Sequence, residues 1–147
     1  MIEVRSDIGT LVDEWWELWR RDSAATPFQS PAWLNPWARQ FDGGESRVLI
    51  IRRGTTLVGL LPLFRHHGRL LPWGAGTSDW LDGIFDPELS PCELAEALSA
   101  LDEPLDLFQL RPDSALLSAP APDGWTDRRA TSEPCVRMSL PPRLPCN

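Results

Sequence analysis

The segment from Arg47 to His67, RVLIIRRGTTLVGLLPLFRHH, constrains the fold more than any other part of the chain. Two runs rich in leucine and β-branched residues flank a short turn that contains Gly54, and this pattern predicts a β-hairpin. The run Val48 to Ile51 is apolar without interruption, which indicates a strand covered on both faces. In the second run, Gly59 and Pro62 predict a bulge or a local edge. The chain must therefore place layers on both sides of a sheet.

A short strand and a helix are predicted before this hairpin. Ile2 and Val4 alternate with polar neighbours, which indicates a strand. Asp7 or Thr10 then caps a helix over TLVDEWWELWRRD, whose apolar residues fall on one side. Tryptophans at this spacing belong to a core or an interface more often than to a ligand platform. Self-association through this helix therefore stays open.

The stretch TPFQSPAWLNPWARQF carries two signals for the start of a helix. Ser30-Pro31 is an N-cap residue followed by proline at the first helical position, and Asn35-Pro36 repeats this pattern. A proline in the interior of one helix costs about 3 kcal/mol. We therefore expect a short turn at Pro31–Leu34, followed by a helix that begins at Pro36 and ends near Gly43-Gly44.

The same stretch holds candidate binding residues. Trp33, Trp37 and Phe41 stay close to one face, which favours packing against the sheet. Gln29, Ser30 and Trp33 could instead meet a ligand at a helix N-terminus, where free N–H groups attract anions. Capping and core packing explain these residues almost as well, so both interpretations remain open.

The second half of the chain continues the alternation of strands and helices. An extended segment, RLLPWGAGTSDWLDGIFD, is interrupted by glycines. Ser90-Pro91-Cys92-Glu93 is a capping box, and it begins a helix with Leu94, Leu98 and Leu101 on one face. Further predicted elements are a strand at Leu105–Leu110, a short helix in DSALLSAP and one or two closing strands in WTDRRATSEPCVRMSL. This order indicates an α/β or α+β fold, in which a layered sheet carries helices on its faces.

Charge and composition exclude several classes of function. The net charge of −7 argues against nucleic acid and against an acidic membrane surface, because both require a basic face. Every basic residue is arginine, which removes Schiff-base lysines and P-loop lysines from consideration. The longest apolar run, Leu57–Phe64, falls far short of the ~20 residues of a membrane helix, and the charged start MIEVRSD has no signal-peptide pattern. We expect a cytoplasmic protein.

Neither a metal site nor a disulfide framework is expected. The three cysteines, Cys92, Cys135 and Cys146, are far apart and lack the C-x-x-C spacing. His66 and His67 are neighbours at the end of a strand, so their side chains face opposite ways. Joint metal binding would then need a third ligand. An exposed strand end is the simpler interpretation of the two histidines.

Asp79 and Asp82, in TSDWLDG, form the strongest acidic cluster. Nearby carboxylates raise each other's pKa, so this pair could bind an amine or act as a base. On an extended segment, however, the two side chains point to opposite faces. Aspartates beside Ser78 and Gly83 are also typical of turns. The turn is the simpler interpretation, and no catalytic residue is assigned.

Four motifs taken together resemble a known family. In chain order they are TPFQSPAWLNPWARQF, RVLIIRRGTTLVGLLPLF, LLPWGAGTSDWLDGIF and VRMSLP. They resemble the N-terminal half of the bacterial GNAT-family acetyltransferases of the cellulose-biosynthesis-protein type, which are distant relatives of the Fem-type aminoacyltransferases. The resemblance covers about residues 1 to 141 and implies a single GNAT-like domain with a mixed, largely antiparallel central sheet and helices on both faces. Residues 142–147 would be a proline-rich tail or a truncated linker.

The resemblance also implies an activity, namely acyl transfer from acetyl-CoA or another acyl-CoA to an amine, hydroxyl or saccharide acceptor. The acyl-CoA would be bound mainly by a second GNAT-like half that this chain lacks, so the chain would be inactive alone, or active only with a partner such as that half or a second copy of the chain. A similar Ser-Asp-aromatic segment lines the cleft between the halves in that family, which directs attention to Ser78, Asp79 and Trp80. Asp82, Gln29 and Trp33 complete the candidate substrate-binding set. The alternative is a non-catalytic acceptor-binding or protein-interaction module.

A CoA-binding loop can be sought directly in the sequence. It would need an Arg/Gln-x-x-Gly-x-Gly/Ala loop at the start of a helix, whose N–H groups hold the pyrophosphate. RHHGRL, from Arg65, ends in leucine where a small residue is required. WGAGTS, from Trp73, has no arginine or glutamine at the right offset. Since neither is followed at once by a capped helix, no cofactor-binding residue is assigned in this half.

Overall fold

The computed structural model describes residues 1–131 together with Pro134 and Val136. The predicted tail at 142–147, Cys135, Cys146 and the motif VRMSLP beyond Val136 lie outside the described residues. A 3₁₀ turn at Pro27–Gln29 precedes the second helix. In chain order the elements are β1 (Ile2–Arg5), α1 (Val12–Arg21), α2 (Pro31–Phe41), β2 (Ser46–Arg53), β3 (Thr56–His66), β4 (Arg69–Pro72), β5 (Ile84–Phe85), α3 (Pro91–Ser99) and α4 (Ala115–Ser118).

The described strands form one five-stranded antiparallel sheet, so the fold is α+β. The strand order is β1-β2-β3-β4, and β5 pairs with β3 beyond the end of β4. The predicted hairpin is confirmed as β2 and β3, joined by a turn in which Gly54 has φ +61°. The predicted bulge is confirmed as well, because the register shifts at Ile51, which lies opposite Gly59. A Cβ on Gly59 would lie 2.8 Å from Cδ1 of Ile51, so only glycine fits at this shift.

Pro62 lies inside β3 at a local gap in the sheet. Its C=O accepts a hydrogen bond from Trp73 N, so its absent N–H would also point to the β4 side. There β4 has ended at Pro72 and β5 has not begun, and no strand in the described residues needs that donor. The local edge predicted from Pro62 is confirmed.

Helices cover both faces of the sheet. Along β2, Val48 and Ile50 point to the face that holds α1 and α2, whereas Leu49 and Ile51 point to the opposite face. All four are at most 5% exposed, which confirms the prediction of a strand buried on both faces. We call the buried cluster that contains Val48 and Ile50 the first-face core, and the buried cluster that contains Leu49 and Ile51 the second-face core. Helix α3 and the short α4 pack on the second face.

Helix α1 begins without the predicted side-chain cap. Leu11 takes the N-cap position and makes no capping hydrogen bond, so capping by Asp7 or Thr10 was wrong. The turn before the helix replaces it, because Leu11 N donates to Ile8 O. The carboxylate of Asp7 instead faces the Arg5 guanidinium at 3.4 Å.

Helix α2 is continuous through Pro36, and the predicted break at Leu34 was wrong. Ser30 caps the helix by accepting a hydrogen bond from Trp33 N, as its sequence pattern predicts. Pro36 is exposed, so the carbonyl that it leaves without a helical donor lies where water can solvate it. Leu34 and Trp37, on either side of the proline, are buried against the sheet. Their burial offsets the cost of a helical proline.

The aromatic residues of α2 do not share one buried face. Trp37 is 6% exposed and packs on Phe64, with ring centroids 5.1 Å apart. Trp33 and Phe41 are 41% and 56% exposed. Only the middle residue of the predicted apolar stripe therefore belongs to the core.

Later elements follow the sequence prediction in part. The Ser90 capping box begins α3, and Leu94, Leu98 and Leu101 are buried in the second-face core. The predicted strand at Leu105–Leu110 was wrong, since it forms one bridge to Leu70 and no ladder. Beside this bridge, Leu70 N donates to Pro104 O and Asp106 N donates to Leu70 O. The short helix in DSALLSAP is confirmed as α4, and residues 125–131 form no strand.

Candidate functional site

Several of the residues predicted to bind substrate meet where α2 begins. Trp33 Nε1 donates to Ser78 Oγ at 2.9 Å, and Gln29 Nε2 donates to Trp80 O at 3.1 Å. These two hydrogen bonds join the start of α2 to the loop between β4 and β5. We call the four residues Gln29, Trp33, Ser78 and Trp80 the α2–loop junction.

Gln29 organises this junction from inside. It is 1% exposed, and its Oε1 accepts hydrogen bonds from Thr26 N and Thr26 Oγ1. Its Nε2 donates one N–H to Trp80 O, and burial keeps the second N–H of the amide from the surface. Gln29 therefore positions the loop and does not face the surface. Thr26 and Gln29 are the first and last residues of a capping box, a pattern that the sequence also displays.

Ser78 is held close to the loop backbone. It is 5% exposed, and its N–H and that of Thr77 both bond to Gly74 O. Gly74 has φ +92°, and a Cβ there would lie 2.5 Å from Ser78 Oγ. The loop can therefore place the hydroxyl under Trp33 only because residue 74 is glycine.

The exposed part of the junction is aromatic and acidic. Trp33 is 41% exposed and meets Phe28 edge to face, with ring centroids 5.2 Å apart. Trp80 is half-buried, and Asp79 between it and Ser78 is exposed. An indole face beside a carboxylate suits a ligand that has an apolar or sugar ring and an amine. Within residues 1–131, no histidine or carboxylate hydrogen-bonds to Ser78, so the hydroxyl has no base to activate it.

The structure separates Asp82 from Asp79. Asp79 is exposed, whereas the Asp82 side chain is fully buried and lies 3.2 Å from Arg111 Nε. Burial raises the pKa of Asp82, while the hydrogen bond from Ser114 and the charge of Arg111 oppose this effect. The pKa is thus governed by burial and by Arg111 rather than by a second carboxylate. The two aspartates are not placed to work as a pair.

A buried ionic cluster surrounds Asp82, and sequence reasoning missed it. Arg111 Nη2 lies 3.7 Å from Asp22, and Nη1 donates to Ala24 O, just after α1. Ser114 Oγ donates to Asp82 at 2.8 Å and accepts from Leu116 N as the cap of α4. The cap before ALLS is readable from the sequence, but nothing local marks Arg111 as buried. The cluster fastens the segment before α4 to the end of α1.

Neither candidate CoA loop has the required geometry. RHHGRL forms a tight turn between β3 and β4, with positive φ at His67 and Gly68. In WGAGTS, the N–H groups of Thr77 and Ser78 already bond to Gly74 O. Neither loop opens a helix. Among the described residues, no group of His, Cys, Asp and Glu is arranged to hold a metal, and the rings of His66 and His67 lie 4.1 Å apart.

The N-terminus of α3 is occupied by its own side chains. Ser90 Oγ accepts from Glu93 N at 3.2 Å, and Glu93 Oε2 accepts from Ser90 N at 2.9 Å. Pro91 contributes no N–H. The hydrogen bonds from Ser90, with help from Arg53, lower the pKa of Glu93 from its ordinary value of 4.5 to about 2. The helix end therefore carries a fixed negative charge that repels another anion.

The surface also carries a polar depression away from the junction. It has a volume of about 280 Å³ and lies between α1 and the β2–β3 turn. Its lining consists of Glu14, Glu17, Arg21, Thr55, Thr56 and Leu57. Two of its three charged side chains are already paired, as Arg21 binds Asp86 and Leu57 O, and Glu14 binds Arg52. None of the residues predicted from the sequence lines it.

No family model, curated protein or solved structure matches this chain. The helices within residues 1–131 are all too short or too polar to cross a membrane. The features that bear on function are therefore the α2–loop junction and the N-termini of α2 and α3.

Proposed function

We propose that this chain is the acceptor-binding half of a GNAT-like, acyl-CoA-dependent N- or O-acyltransferase and does not itself hold the acyl-CoA. The order β1-α1-α2-β2-β3-β4 supports the proposal, because it agrees with the first part of the GNAT order, which is a strand, two helices, three antiparallel strands, a helix and a strand. The two-residue β5 then precedes α3, and the strand expected after α3 is absent from the described residues. The second GNAT-like half implied by the sequence motifs would supply the cofactor site.

The observation that carries this proposal is the closed N-terminus of α3. In the GNAT order, this helix follows the three antiparallel strands, and a helix N-terminus is where a pyrophosphate would be cradled. Here the Ser90 and Glu93 side chains take the backbone N–H groups, and Pro91 removes a further donor. A pyrophosphate would have to displace a carboxylate that is ionised throughout the neutral range. Acyl-CoA therefore binds elsewhere in the complete enzyme.

The acceptor role rests on the α2–loop junction. The Trp33 indole is partly exposed and is oriented by its hydrogen bond to Ser78, so it offers a fixed aromatic surface. Asp79, which follows Ser78 in the chain and is exposed, would provide a carboxylate for an amine. A sugar or amino-sugar ring stacks on such a surface, and its amine pairs with the carboxylate.

Calorimetric titration of the 147-residue chain with acetyl-CoA tests the cofactor claim. We expect no measurable heat of binding, and also none with pyrophosphate. Glu93→Gln is the matched variant, since it removes the charge and keeps the shape of the capping box. Micromolar binding of acetyl-CoA by the wild-type chain, strengthened in Glu93→Gln, would show that α3 holds the cofactor and would overturn the proposal.

Titration with glucosamine, followed by tryptophan fluorescence, tests the acceptor claim. We expect weak saturable binding that Trp33→Ala abolishes and Asp79→Asn weakens. Trp16→Phe is a control, because Trp16 is partly exposed on α1, away from the junction. Equal responses in Trp33→Ala and in the wild type would contradict the assignment.

The second candidate function is a protein-interaction module without any acyl transfer. The absence of a base beside Ser78 among the described residues favours it, because the junction can bind but not activate a nucleophile. The coding sequence that follows the codon for Asn147 separates the two functions. A second GNAT-like half in frame supports the acyltransferase, whereas an unrelated sequence supports the interaction module.

A further inference from the structure

Strand β1 is an open edge of the sheet. Met1 exchanges hydrogen bonds with Arg52, as Met1 N donates to Arg52 O and Arg52 N donates to Met1 O. In an antiparallel ladder the backbone groups alternate in direction, so those of Glu3 and Arg5 also face β2. The N–H and C=O groups of Ile2 and Val4 consequently point away from the sheet.

Nothing in residues 1–131 covers this edge. No backbone or side-chain group bonds to the outward amides of Ile2 and Val4, and β1 lies at the end of the strand order. Val4 itself is 37% exposed. An uncovered row of donors and acceptors is a template for another strand.

The sequence around Val4 is complementary to itself when two copies run antiparallel. With Val4 opposite its counterpart, Glu3 faces Arg5 of the other copy on the α1 side of the sheet, and Arg5 faces Glu3. Opposite charges directly across two strands stabilise the pairing. Val4 also meets its counterpart through outward N–H and C=O groups.

The neighbouring registers are disfavoured by the same charges. Backbone alternation permits only shifts that keep outward groups opposite one another. The adjacent allowed registers place Glu3 opposite Glu3, or Arg5 opposite Arg5, and like charges directly across two strands repel. The charges therefore select the register that is centred on Val4.

We propose that β1 pairs with β1 of a second copy of this chain, antiparallel and centred on Val4, which joins the two sheets into one. The two-fold axis passes between the two valines, so both copies contribute the same surface. Within residues 1–131, Arg5 forms an ion pair with the exposed Asp7 at 3.4 Å, and a second copy would offer Glu3 as another partner. This dimer does not depend on the proposed acyltransferase role.

Charge reversal gives the decisive experiment. Sedimentation velocity over a range of concentrations, with any tag at the C-terminus, should show a monomer–dimer equilibrium for the wild type. Glu3→Arg alone and Arg5→Glu alone should each weaken dimerisation by about tenfold or more, because each places like charges across the strands. An equimolar mixture of these two variants should regain the dimer, since one copy is then basic along β1 and the other acidic. A monomeric wild type, or single variants that dimerise like the wild type, would overturn the proposal.

A backbone variant tests the strand pairing itself. Val4→Pro removes an outward N–H and leaves the ladder to β2 intact, because proline is tolerated on an edge strand. We expect it to abolish the dimer with unchanged circular dichroism. Val4→Thr retains the N–H and the β-branched shape, so it should dimerise like the wild type. A dimer that survives Val4→Pro would place the interface elsewhere and refute the proposal.

Discussion

The two faces of the sheet are packed by different chemistry. The first-face core contains the aromatic residues Trp15, Trp37, Phe64 and Trp73, whereas the second-face core is aliphatic apart from Phe85. Indole rings carry a polar N–H that usually finds an acceptor when it is buried, and leucine carries none. The first-face core therefore contains side chains whose hydrogen bonds can fix their orientation, and the second-face core does not. The α2–loop junction lies on the first face.

The anchoring hydrogen bonds of the first face come from α1. Trp15 Nε1 donates to Gln29 O and Trp19 Nε1 donates to Thr26 O, both at 2.9 Å. These bonds hold the turn before α2 and thereby set the position of the junction. They also use the α1 tryptophans within the chain, so Trp15 and Trp19 are not free to mediate self-association. Among the described residues, the buried indole N–H groups of Trp37 and Trp73 have no acceptor, so packing in the first-face core holds these two rings.

The two faces also differ in how their main helices begin. Both α2 and α3 start with a serine cap and proline, yet α2 has no acidic residue in its first turn. The first turn of α3 contains Glu93, which closes the helix end electrostatically. The same Ser-Pro pattern therefore begins both helices, but the N-terminus of α2 lies next to an aromatic surface, whereas the N-terminus of α3 is blocked by Glu93.

The largest expected difference between the faces comes from their cores. Trp15→Ala should lower the free energy of unfolding by about 4–5 kcal/mol, because it opens a cavity and leaves Gln29 O without its donor. Leu98→Ala on the second face should cost about 3 kcal/mol, since it opens a smaller cavity without orphaning a polar group. Urea unfolding followed by circular dichroism measures both. If Trp15→Ala and Leu98→Ala lower the free energy of unfolding equally, or if Trp15→Phe is as stable as the wild type, then the two cores do not differ in this way.

The ionic cluster that links α1 to the α4 cap should give the next largest effect. Arg111→Met leaves the Asp82 carboxylate buried without its cation, which should cost about 3 kcal/mol at neutral pH. Arg69→Met is the matched control, because its partner Asp106 is exposed and 3.9 Å away, and it should cost less than about 1 kcal/mol.

The cost of Arg111→Met should depend on pH. Burial already raises the pKa of Asp82, and loss of Arg111 raises it further, so the native state binds this proton more tightly than the unfolded chain does. The deficit relative to the wild type should shrink as pH falls through the native pKa and grow as pH rises through it. A deficit that does not change with pH would show that Asp82 is not the cause.

The smallest effects should distinguish the two helix starts. Ser30→Ala and Ser90→Ala should each cost about 1 kcal/mol through the lost cap. Glu93→Gln should lower the melting temperature at neutral pH by less than either. Because the folded pKa of Glu93 is lowered, its contribution is present above pH 4.5 and is lost as pH falls towards 2. Calorimetry should therefore show the Glu93→Gln deficit vanishing over this range, whereas the Ser30→Ala deficit should persist.

Much of the fold was predictable because its signals are local. The apolar runs around Gly54, the capping box at Ser90 and the cap at Ser30 each depend on neighbours in the chain, and all three are present in the structure. The candidate site was predictable only as separate parts. Gln29 and Trp33 were identified at one place in the chain, and Ser78 and Trp80 at another, with no local reason for them to meet.

The sequence alone determined the hairpin, the serine caps of α2 and α3 and a layer on each face, since spacing along the chain carries that information. Only the tertiary structure decided that α2 continues through Pro36, that Leu105–Leu110 forms no ladder and that Arg111 finds Asp82. At Pro36, packing against the sheet outweighs a local cost of about 3 kcal/mol. Packing against the sheet makes the helical proline tolerable, and burial makes a distant arginine the required partner of an aspartate.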